Sequence, residues 1–160
     1  FDLLKARKSL QDGNTPWTPA ITLLVGLRES LSMILNKGLE YFWDKYARLA
    51  FSTREGAKAI GLELFAKTPS NALTSIKVPE GIDGQAFVDL LRTRYGVTVA
   101  GGQAHLKGKI FRVGHMGYYD HLDMVAFASA MEMALRDLGW KFELGKAVST
   151  VQVAYMNGGI

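Results

Sequence analysis

The stretch "GKIFRVGHMG" (108–117) decides how the second half of the chain is read. It is an apolar run between glycines, so it reads as a short strand, with Arg112 in its middle. Successive side chains of a strand point to opposite faces. Phe111 and Val113 then share one face, turned toward helices, while Ile110, Arg112 and Gly114 share the other. Burying an unpaired guanidinium is costly, so Arg112 needs a negative partner. Gly114 leaves space beside it, and the guanidinium fork matches a carboxylate or a phosphate. Two readings stay open: an anion clamp for a ligand, and an internal salt bridge to one of the chain's own acidic residues.

Outward from this strand, "GGQAHLKG" (101–108) is a glycine-rich loop. Backbone N–H groups and a lysine there could cradle a phosphate. The loop is neither a Gly-Lys-Ser/Thr phosphate loop nor a dinucleotide fingerprint. A plain crossing between two strands, with His105 at the surface, is the simpler reading. "VTVA" (97–100) is a strand before the loop, and "LTSIKV" (73–78) alternates as a half-buried strand does. Between them Asp83 caps a helix over Gln85–Tyr95, ended by Gly96. "LELFA" (62–66) is a further strand candidate. Asp120 caps a helix to Leu138 with Asp123 as its capping-box partner, and Gly139 closes it. From Lys146 to Tyr155, Val148, Val151 and Tyr155 fall at helical spacing.

Two long helices precede this half. Thr18 before Pro19 is a helix-start signal, a hydroxyl at the N-cap and a proline at the first helical position. It predicts a helix from Pro19 to about Lys37, terminated by Gly38. Apolar residues surround that helix almost completely up to Arg28 and Glu29, so it should be buried against something large. A second helix, about Leu39–Ile60, carries the stripe Tyr41, Phe42, Lys45, Tyr46, Leu49 and Ala50 and ends at Gly61. Residues 2–11 read as a short helix. The resulting fold class is α+β: a small, mostly antiparallel sheet of three to four strands with helices on one face, preceded by two long helices. Residues 1–18 form a tail and linker, 19–61 the helix pair, 62–145 the α+β core and 146–160 a C-terminal tail.

Composition narrows the function. The chain has 160 residues, 48% of them apolar and 21% charged, as in an ordinary globular protein. It has no cysteine, which excludes disulfides and thiolate chemistry and suits a reducing, cytoplasmic compartment. Three histidines, His105, His115 and His121, are too few and too irregularly spaced for a zinc site, so no metal is expected. The net charge of +4 is scattered, without the basic stripe and aromatics of a nucleic-acid reader. The longest apolar run, "PAITLLVGL", is far short of the ~20 residues that span a bilayer. No signal peptide is read, and a chain opening on Phe1 suggests a segment of something longer. His115 reads as an acid or base near neutrality or as a structural histidine. No serine or aspartate motif marks a nucleophile beside it. Trp17, on a stiff loop, either lines a pocket or interface or simply packs. Thr15 and Thr18 offer hydroxyls, and Thr18 lies where a helix N-terminus favours an anion, or only caps the helix.

Two segments together, "TPWTPAITLLVGLRESL" (15–31) and "GGQAHLKGKIFRVGHMGYYD" (101–120), closely resemble the C-terminal part of class V aminotransferases. The branch is the alanine/serine–glyoxylate or serine–pyruvate type, which includes chains labelled soluble hydrogenase small subunit. The resemblance covers nearly the whole chain in order. It implies a pyridoxal 5′-phosphate enzyme of fold type I and a homodimer, acting on a small amino acid and a 2-oxo acid. It implies that Arg112 holds the substrate carboxylate. It also implies that Thr18, and more weakly Thr15, reach the cofactor phosphate of the neighbouring subunit. The lysine that binds the cofactor as a Schiff base is expected upstream of Phe1, so this segment by itself should be inactive. Lys107 and Lys109 belong to the arginine motif, and Ala104 stands where relatives often have glycine. The rival reading is a free-standing amino-acid-binding regulatory module with a ferredoxin-like core. A third is a dimerisation fragment exposing the 19–37 helix.

Overall fold

A computed structural model describes residues 2–158 of the chain. They divide into two compact units, one ending at Phe42 and the other beginning at Trp43.

In the first unit, helix α1 (Leu3–Gln11) is capped by Asp2, whose carboxylate accepts from the Lys5 N–H at 2.9 Å. Gly13 at φ +64° then turns the chain. Helix α2 (Ile21–Lys37) starts two residues later than the Thr18-Pro19 signal predicts. Ala20, at φ −76° and ψ 68°, makes an inverse γ-turn in which the Ile21 N–H donates to the Pro19 carbonyl at 2.9 Å. The helix therefore begins beyond the proline, and Ala20 rather than Thr18 is its N-cap, with no side-chain cap at all. Gly38 closes it as expected, donating to the Ile34 carbonyl at 2.9 Å. None of the residues of α2 is buried, so the described chain does not supply the large partner its apolar surface called for.

Helix α3 (Leu39–Ala59) runs into the second unit, where it buries Leu49, Ala50, Ser52, Thr53, Gly56 and Ala57. The sheet consists of β1 (Leu73–Lys77), β2 (Ala100–Gly101) and β3 (Ile110–Gly114), all antiparallel, in the order β1-β3-β2. "LELFA" contributes only a bridge from Leu64 to Ile76. The expected strand over 97–100 shrinks to its end. The Val97 N–H is tied to the Leu91 carbonyl at the close of α4 (Gly84–Tyr95), so pairing with β3 starts only at Ala100.

Register sets the two faces of the sheet. Thr74 lies opposite Val113 and Ile76 opposite Phe111, and all four are buried. Ser75 and Ala100 lie opposite Arg112, and Leu73 opposite Gly114, on the more open face. Phe111 packs on Phe87 of α4, ring centroids 4.9 Å apart. Asp83 caps α4 and Gly96 ends it in the left-handed region, as the sequence predicts.

Helix α5 (His121–Asp137) opens with the predicted capping box and buries eight residues. Helix α6 (Lys146–Met156) lacks a cap of its own, because Gly145 stands at its N-cap. Glu132 of α5, 2% exposed, supplies one: its two carboxylate oxygens accept from the N–H groups of Gly145 and Ala147, each at 2.6 Å. Gly56 of α3 lies so close to α6 that a methyl group there would overlap the Val151 side chain and crowd the Ala147 carbonyl. The order β1-α4-β2-β3-α5 is the start of a ferredoxin-like pattern, but α6 follows where that pattern needs a fourth strand.

Candidate functional site

β3 carries the chemistry. Its alternation sends Phe111 and Val113 into the core and Arg112 to the opposite face, half-buried. No carboxylate of the described residues pairs with the guanidinium, so the internal salt bridge is not formed. Its Nε and Nη2 instead both donate to one backbone oxygen, the carbonyl of Gly101, at 3.3 and 3.0 Å. A carbonyl satisfies donors but does not neutralise charge. Beside it on the same face, a methyl group built on Gly114 would meet nothing within 4 Å. The result is a rigidly placed cation next to open space, suited to a planar anion.

His115 follows on the core face and is 0% exposed. Its Nε2 is 2.9 Å from the Thr74 hydroxyl, its backbone N–H donates to the Ala72 carbonyl at 3.0 Å, and its Nδ1 has no partner among the described residues. Burial, with a smaller push from the nearby Arg54 cation, lowers its pKa to about 4. His115 is therefore neutral at physiological pH and adds no charge to the site. Arg54 is bound to the loop before β1 through the Ser70 carbonyl (3.5 Å) and Asn71 Oδ1 (3.1 Å), and desolvation lowers its own pKa.

In the first unit, Thr15 donates its hydroxyl to the Trp17 carbonyl at 2.7 Å. Thr18 is exposed and makes no hydrogen bond among the described residues. Trp17 is 60% exposed, with Lys5 Nζ 4.5 Å from its ring centroid. His105 lies exposed in a short 3₁₀ turn, Ala104–Leu106, within the glycine-rich loop. The sequence reading missed Thr74 and the Gly101 carbonyl. Thr74 had a signal, a polar residue at an inward position of an alternating strand. A main-chain carbonyl has none.

No family model matches the chain. An uncharacterized aminotransferase of Methanocaldococcus jannaschii is 41% identical over 144 residues, 88% of this chain and 37% of that protein. A serine–glyoxylate aminotransferase of Methylorubrum extorquens is 35% identical over 93% of this chain and 38% of its own length. The crystal structure of a ureidoglycine–glyoxylate aminotransferase from Bacillus subtilis superposes with a TM-score of 0.84 at 31% identity, over 89% of this chain and 38% of that one. The chain thus spans somewhat more than a third of the length of the relatives it matches. No helix among the described residues is long and apolar enough to cross a membrane.

Proposed function

Because the chain belongs to the aminotransferase family, we propose that it is the C-terminal portion of a class V, pyridoxal-phosphate-dependent enzyme. That enzyme moves an amino group between alanine or serine and glyoxylate or pyruvate. Arg112 holds the carboxylate that both substrates carry. The single observation behind this reading is the half-buried guanidinium on β3 with no carboxylate partner and open space beside it.

When bound, pyridoxal phosphate supplies the electron sink for amino-group transfer. The residues here fit its phosphate at one place. Thr18 has an unengaged hydroxyl, and α2 has no side-chain cap for its first N–H groups. Thr15 fits less well, since its proton is already given to Trp17. In this reading Thr18 serves the phosphate of a neighbouring subunit in a cytoplasmic homodimer, and the cofactor lysine lies outside the chain. Arg112 works by position: fixing the carboxylate fixes which bond at the substrate's α-carbon faces the cofactor.

Steady-state kinetics of the complete enzyme tests the assignment. Arg112→Ala should lower kcat/KM by about 30- to several-thousand-fold, the equivalent of ~2–5 kcal/mol, for amino acid and 2-oxo acid alike. Arg112→Lys should recover only part of it. If Arg112→Ala unfolds the protein while the surviving fraction keeps normal kcat/KM, the arginine is structural and the assignment fails.

A further inference from the structure

Resting on the carboxylate reading of Arg112, we propose that the Gly101 carbonyl is a positioning group that makes the arginine bind through one particular edge. A guanidinium has two edges able to take a carboxylate, the side edge (Nε with Nη2) and the terminal edge (Nη1 with Nη2). Here the side edge is occupied. Nε and the Nη2 proton beside it both converge on the Gly101 oxygen. Three N–H groups remain; one on Nη1 and one on Nη2 form the terminal fork, and the second on Nη1 lies on the Cδ side. A ligand carboxylate is therefore taken end-on, along the axis of the side chain.

What holds the carbonyl in place is the glycine-rich loop. β2 is only two residues long, so strand pairing alone anchors it weakly. The Gly102 N–H donates to the Ile110 carbonyl at 2.9 Å, and the loop folds back so tightly that a methyl group on Gly102 would overlap the Leu106 carbonyl. The Lys109 backbone N–H donates to that same Leu106 carbonyl at 3.0 Å, and Ala104 takes a left-handed φ of +48° to let the chain reverse. Gly102 thus acts on Arg112 through the Gly101 oxygen, and it touches no ligand.

Two experiments read this out. In arginine-labelled NMR of the complete, unsubstituted enzyme, the Arg112 Nε–H should exchange at least tenfold slower than that of exposed arginines. Adding pyruvate should shift the Nη signals and leave Nε in place. An Nε–H that exchanges freely, or that moves with pyruvate as far as Nη does, overturns the edge assignment. In the complete enzyme, Gly102→Ala should raise KM for pyruvate about tenfold with kcat changed less than twofold, and this effect should vanish in an Arg112→Ala background. An equal effect in both backgrounds makes Gly102 merely structural and overturns its positioning role. Failure of the carboxylate reading itself is separately visible: Arg112→Ala would leave the pyruvate KM unchanged, while the unsubstituted enzyme still shows Nε–H protection.

Discussion

Helices α2 and α5 are both 17 residues long and both largely apolar, yet α5 buries eight residues and α2 none. Their beginnings differ in the same sense. α5 opens on a complete capping box, with the Asp120 N–H donating to Asp123 at 2.7 Å, whereas α2 opens on an uncapped alanine. Composition makes either helix possible. Neighbours decide which one is locked in place, because most helical stability in proteins comes from packing rather than propensity.

The contrast predicts a graded set of losses in equilibrium urea unfolding of the chain. Leu135 of α5 is 0% exposed, and Leu135→Ala should cost about 2–5 kcal/mol through lost burial and the cavity left behind. Leu24→Ala in α2, where the side chain is 57% exposed, should stay within about 0.5 kcal/mol. Equal costs at the two positions would mean that α2 is covered in solution. Glu132 comes next. Glutamine keeps its shape but turns an amide donor toward one of two backbone N–H donors, so Glu132→Gln should lose roughly 1.5–3 kcal/mol. The exchange protection of the first turn of α6 should fall with it. The caps repeat the contrast on a smaller scale: Asp120→Ala should cost about 1 kcal/mol, and Thr18→Ala close to nothing. A Thr18 loss as large as that of Asp120 would restore the helix start at Pro19.

These pairs also show what the sequence could and could not reveal. The α5 cap was legible because Asp120 and Asp123 stand three residues apart before an apolar run, a strictly local device. The Thr18-Pro19 signal is just as local, but the γ-turn at Ala20 overrides it, and nothing in the residue types marks such a turn. β1 is readable from its alternation and β3 from an apolar run between glycines. β2 starts three residues later than the reading of 97–100 because Val97 is bound to the end of α4, a contact between elements. In the site, Arg112 was readable as a charge in an apolar strand. Its carbonyl partner was not, since a backbone oxygen is common to every residue. Glu132 was missed for a related reason: on a helix surface pattern it looks like solvent-facing charge, and only the arrival of α6 gives it two donors to bind.

The buried imidazole of His115 has a consequence for proton uptake. Unfolded, it should titrate at its ordinary value of about 6.5. Folded, it resists protonation down to about 4. Above the unfolded value both states are neutral and the full stability is present. Between the two values the unfolded chain gains a proton that the folded chain refuses, so stability drains away as the medium is acidified. Below the folded value both states are protonated and the loss levels off. Over that window the deficit amounts to ~3 kcal/mol, which is a large share of what a small domain has. Subtracting the unfolding profile of His115→Asn from that of the unsubstituted chain isolates this group from the carboxylates. A difference that is flat between pH 6.5 and 4 would place the ring in contact with water. A sloping one makes the strand that carries Arg112 the acid-sensitive part of the molecule.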